Sequence, residues 1–93
     1  GVRFAVTHRH RSGDTGLVVL GREREADAVI CGHSHRPRFD DGTALPIVNP
    51  GSHAQPRGNR PAHAELESAG DGSLDGRLVT PDGEVFERFR IEP

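Results

Sequence analysis

The sequence predicts an α/β fold in which one βαβ unit is followed by antiparallel strands. Two short runs, VRFAVT at 2–7 and DAVIC at 27–31, carry strand patterns and enclose a segment with helix signals. Beyond Pro37 the chain breaks into short strand-like runs separated by Gly, Pro and Asp. With 12 Gly and 7 Pro in 93 residues but only 4% aromatic, turns are plentiful and large packing residues scarce, so the core will be thin.

The first strand places Val2, Phe4 and Val6 on one side and Arg3, Ala5 and Thr7 on the other, with His8 at its carboxyl end. RHRSGDTG follows as a loop rich in turn formers. In LVVLGRERE, Asp14 or Thr15 caps a short helix that buries Leu17, Val18 and Leu20, and Gly21 weakens it by about 1 kcal/mol relative to Ala. DAVIC is apolar on both faces from Ala28 onward, as a central strand covered on two sides would be, and it stops at Gly32. A right-handed βαβ crossover makes the two strands parallel, so His8 and His33 become neighbours on one sheet edge. The second half reads as antiparallel. Its clearest turn is TPDGE, where Pro81 pre-sets a turn and Gly83 is free to take positive φ, joining Leu78 and Val79 to Val85, Phe86 and Phe89. There is no repeat, no low-complexity tract and no linker long enough to divide 1–93 into two domains.

Composition narrows the function classes. No stretch approaches the roughly twenty apolar residues of a membrane helix, and a net charge of −2 excludes bulk nucleic-acid binding. All 12 basic residues are Arg, which makes the better phosphate fork but reflects coding composition as readily as a site. The single Cys31 excludes an internal disulfide framework and fits a reducing cytoplasm, the expected location. Because the chain opens at Gly1 already inside a strand-like run, it is expected to be a fragment.

The chemistry-bearing stretch is VICGHSHRPRF at 29–39. In an extended segment residues i and i+2 point the same way, so His33 and His35 present both rings to one cavity about 6 to 7 Å apart at the backbone. That spacing suits two metals roughly 3.5 to 4 Å apart, and parallel strands deliver ligands at their carboxyl edge. A His-x-His pair by itself is usually just solvated. The set raises its meaning: Gly32 before it, Pro37 after it, His8 ending the adjacent strand and an NPGS turn at 49–52.

Through VTHRHRSG, ICGHSHRP and IVNPGSHAQPR the sequence resembles the calcineurin-like metallophosphoesterase superfamily, especially its small bacterial and archaeal phosphodiesterase branch, over nearly the whole chain. The resemblance implies a four-layer α/β/β/α sandwich enclosing two divalent metal ions, manganese foremost, with iron, zinc or nickel as substitutes. It makes residues 1–93 the C-terminal half of that single domain. It implies that His8 and His33 ligate one metal and His35 the other, and that hydroxide at the two-metal site attacks a phosphodiester substrate in line with the leaving group. His10, matching the second His of the family's H-G-H, supports the leaving group, contacts substrate or is an exposed loop histidine. Arg9 stands where the family usually has Gly, and it either disfavours that backbone conformation or reaches the substrate phosphate. Arg57 pairs with a phosphate oxygen or is solvated. Asn49 orients a ligand through a hydrogen bond or serves the turn alone, the turn being favoured.

The D-x-H, G-D and G-N-H-D segments that supply the family's remaining ligands are not among these residues, and Asp14, Asp40 and Asp41 do not occupy matching positions. The chain alone is therefore expected to give no phosphodiester hydrolysis above background with manganese. Two alternatives stand beside the enzyme: a non-catalytic protein-interaction scaffold of the same fold, like the retromer subunit, and a structural zinc module closed by His8, His33 and His35. An unpaired sheet edge and an uncovered apolar face also predict self-association.

Overall fold

The computed structural model describes residues 1–8, 13–32, 34, 36–52, 54–55 and 58–93. The expectations for Arg9, His10, His33, His35 and Arg57 lie outside the described residues.

Strand β1 (Phe4–Thr7) leads to helix α1 (Gly13–Glu23) and then to β2 (Ala28–Cys31), which pairs with β1 in parallel register, Phe4 against Ala28 through Thr7 against Cys31. This is the predicted βαβ unit. Leu17 is buried at the centre of the helix's inner face, with Val18 and Leu20 partly buried beside it. Gly21 is there for contact: a Cβ would sit 2.6 Å from Leu45 Cδ1 and 2.9 Å from Val29 Cγ2. Its absence lets the helix approach the sheet, which offsets the propensity cost.

One correction concerns the second half. After β3 (Arg38–Asp40), β4 (Ile47–Asn49) runs parallel to β2, Val29 against Ile47, and only then pairs antiparallel with β3. The sheet order is β1-β2-β4-β3. The run IVN is buried on both faces, as interior parallel strands are, whereas the flanking turn residues had suggested an antiparallel meander. The antiparallel expectation does hold for β5 (His63–Ser68), β6 (Leu74–Val79) and β7 (Val85–Ile91), which form a second, three-stranded sheet. The Pro81 turn closes the β6–β7 hairpin, with Gly83 at φ 92° and its N–H donating to Thr80 O at 2.9 Å.

Alternation sorts the first sheet into two cores. Ala5, Val29, Cys31 and Ile47 face α1, while Ala28 and Val48 face the second sheet and meet Leu78, Phe89 and Ile91. Phe39 stacks on Phe89 with centroids 4.4 Å apart. The layers are thus helix, four-stranded sheet and three-stranded sheet. The outer face of the last is charged: Glu65 and Glu67 bracket Arg77, and Arg90 bonds Asp71. No described helix is long and apolar enough to cross a membrane.

Candidate functional site

Three parallel strands end together. Thr7 and Cys31 are opposite each other at the ends of β1 and β2, and Asn49 ends β4. Two residues expected at the site are described there, His8 and Asn49.

His8 follows β1 directly and is exposed. Gly32 N–H donates to Thr7 O at 3.1 Å, continuing the parallel ladder one step past β2, and this brings Gly32 against the imidazole. A Cβ at position 32 would lie 3.2 Å from His8 Nδ1 and 3.6 Å from His8 O. Glycine there is therefore a matter of close approach between the His8 segment and the segment that carries His33. Val6, Ile30 and Pro50 line a mostly apolar depression of about 250 Å³ next to His8.

On the helix side of Gly32 lies a second, polar cleft of about 350 Å³. Cys31 and Leu17 form its apolar floor, and Ser34, Arg36, Arg38 and Asn49 rise around it with Asp14. Arg38 lies opposite Asn49 across the β3–β4 pair, so register places both on this face. Asn49 is 2% exposed, and both ends of its amide are bonded. Its Oδ1 accepts from Gly51 N–H at 2.9 Å, closing the turn, and its Nδ2 donates to Ser34 Oγ at 3.0 Å. The amide closes the Asn-Pro-Gly turn, the favoured reading, and its second bond goes to Ser34.

Asp14 does not act as a metal ligand in this arrangement. Arg38 grips it bidentately, Nη2 to Oδ1 at 2.6 Å and Nη1 to Oδ2 at 3.3 Å, with Asp40 3.6 Å from the same guanidinium. The Arg38 hydrogen bond holds the Asp14 carboxyl below its ordinary range, and Asp14 in turn raises Arg38. The expected cap, Asp14 or Thr15, is not one: α1 begins at Gly13 and places both inside its first turn. Only strand register brings Asp14 and Arg38 together, 24 positions apart. Burial pushes the Cys31 thiol up, away from the thiolate that would bind metal. His63 bonds Glu65 at 2.9 Å on the outer sheet, well removed in sequence and face from this edge.

Among the described residues no group of three or more His, Cys, Asp and Glu could hold an ion. His8 fits one ligand position by residue type and by its place at the carboxyl edge, while the other two imidazoles implied by the motif lie outside the described residues.

Comparison with known proteins agrees with this architecture. The family model for the calcineurin-like phosphoesterase superfamily domain matches residues 1–69. A probable metallophosphoesterase of Methanocaldococcus jannaschii is 33% identical over 63 residues, covering 68% of this chain and 32% of its own. Another, from Methanothermobacter thermautotrophicus, is 37% identical over 68 residues, 72% of this chain and 39% of its own. The chain thus spans between about a third and two fifths of those relatives. Among solved structures, a predicted phosphoesterase of Streptococcus pneumoniae superposes with TM-score 0.66 at 28% identity, over 85% of this chain and 48% of its own. Vps29 of Entamoeba histolytica, solved in complex with zinc, does so with TM-score 0.75 at 25% identity, over 96% and 55%. With three-quarters of its length inside the family model, the chain belongs to the calcineurin-like phosphoesterase superfamily.

Proposed function

We propose that this chain is part of a metal-dependent phosphodiesterase, in which His8, His33 and His35 hold divalent cations at the carboxyl edge of the parallel sheet. The observation that carries this reading is the close approach of Gly32, the residue before His33, to His8: Gly32 N–H donates to Thr7 O at 3.1 Å, and a Cβ there would lie 3.2 Å from His8 Nδ1. Manganese, or zinc, iron or nickel in its place, would supply charge neutralisation on the phosphoryl oxygens and activation of water.

The chain's own residues contribute position. The ladder bond from Gly32 to Thr7 ties the residue before His33 to the residue before His8, and the Asn49 amide holds Ser34. Ligand orientation of this kind is normally worth 10- to 100-fold in metal affinity or rate. The scaffold reading shares the fold, and the likeness to Vps29 is the observation on its side. One assay separates them. Turnover of bis(p-nitrophenyl) phosphate with manganese by the whole protein is expected to fall by roughly 100-fold or more in His8→Ala, as for loss of a metal ligand, with the circular dichroism unchanged. A rate that His8→Ala leaves intact overturns the phosphodiesterase reading, and absence of turnover in the parent favours the scaffold.

A further inference from the structure

The polar cleft beside Gly32 has a hydrogen-bonding balance that selects its ligand. Ser34 Oγ accepts from Asn49 Nδ2 at 3.0 Å and from the Arg36 backbone N–H at 3.3 Å. A serine hydroxyl has two lone pairs and one proton, so both acceptor positions are filled and only the O–H is left to give, directed away from those two donors. No acceptor for it occurs among the described residues.

The remaining groups have the same bias. Arg36 is exposed on the cleft wall, and its guanidinium enters no ion pair among the described residues. Arg38 directs two N–H groups at Asp14 and keeps others of its five. Each side-chain acceptor already takes one described donor: both Asp14 oxygens accept from Arg38, and Asn49 Oδ1 accepts from Gly51. Arg38 is neutralised by Asp14 and by Asp40 at 3.6 Å, so the cleft's unpaired positive charge among the described residues is that of Arg36. The volume of about 350 Å³ is at the lower end of small-ligand sites and ample for a tetrahedral oxyanion.

The geometry points to an oxyanion subsite formed by Ser34, Arg36 and Arg38, which binds a phosphate group of the substrate other than the one being hydrolysed. The substrate class is then a phosphoester that carries a second phosphate. This assignment rests on the phosphodiesterase reading for its biological meaning. It does not rest on metal for its binding. Asp14 acts here as a positioning residue that fixes the plane of Arg38, leaving the outward N–H groups of the fork aligned before the ligand arrives.

The test is an NMR titration of the 93-residue chain with inorganic phosphate in excess EDTA, at constant ionic strength maintained with chloride. Saturable shifts at Ser34, Arg36 and Arg38 are expected, with an apparent Kd raised roughly tenfold by Arg36→Ala, the worth of one charge-assisted hydrogen bond. Ser34→Ala weakens binding and Ser34→Thr, which keeps the hydroxyl, restores it. Arg77→Ala, on the outer face of the second sheet, leaves it unchanged. Shifts that stay linear through the millimolar range, that chloride reproduces, or that ignore both Arg36→Ala and Ser34→Ala overturn the subsite. With no metal present, failure of the metal reading leaves this result standing, and failure here leaves His8-dependent turnover untouched.

Discussion

Single residues set this sheet edge, and Asn49 shows how much one side chain carries. Buried to 2% exposure, its amide satisfies the Gly51 N–H and the Ser34 hydroxyl at once. Asn49→Ala deletes both bonds and leaves the Gly51 N–H without its acceptor, so unfolding free energy should fall by about 1–3 kcal/mol in urea denaturation. Asn49→Asp keeps the Gly51 acceptor and loses the donor to Ser34, and should destabilise less. Equal losses in the two variants would mean the turn bond contributes nothing. The sequence made the Asn-Pro-Gly turn legible because turn chemistry is local. Its other partner was not legible, since Ser34 lies 15 positions away and meets Asn49 only once β4 pairs with β2. The Asp14–Arg38 pair was hidden for the same reason: a carboxylate in the first turn of a helix reads as a cap until a strand brings a guanidinium to it.

At the scale of elements, the pairing of strands decides what packs. Gly76 on β6 lies directly opposite Phe89 on β7, and the Phe89 ring occupies the space above it. A Cβ at position 76 would lie 2.7 Å from Phe89 Cδ2 and nearer still to two other ring atoms. The ring is 8% exposed and stacked on Phe39, so it has little room to yield. Gly76→Ala should therefore cost about 1–3 kcal/mol by overpacking, despite the higher strand propensity of Ala. A thermal midpoint equal to the parent's would show that the inter-sheet core tolerates a displaced Phe89. The βαβ unit and the β6–β7 hairpin were legible because apolar periodicity and turn residues mark both. The direction of β4 was not: three residues hold too little pattern to distinguish parallel from antiparallel, and only burial on both faces gives it away.

For the whole molecule, three layers follow from two alternations. Odd and even residues of β1, β2 and β4 go to the helix or to the second sheet, and the outermost face of that second sheet is charged and solvated. Val6, 72% exposed on β1, remains a large apolar side chain that the two cores leave uncovered. This architecture sets the parallel carboxyl ends at one edge with His8 on one side of Gly32 and the arginine-lined cleft on the other. The family motif made that edge readable from sequence, whereas the cleft is a product of folding, contributed by α1, β2, β3 and β4 together. Metal ligation by His8, His33 and His35 is the central proposal. Titrating the chain with manganese and following paramagnetic broadening of its six histidine ring signals tests it most directly, with a His33→Ala/His35→Ala variant alongside. The His8, His33 and His35 rings are expected to broaden first, with the variant removing that selectivity; broadening that begins at His53 or His63 while those three rings stay sharp would contradict it.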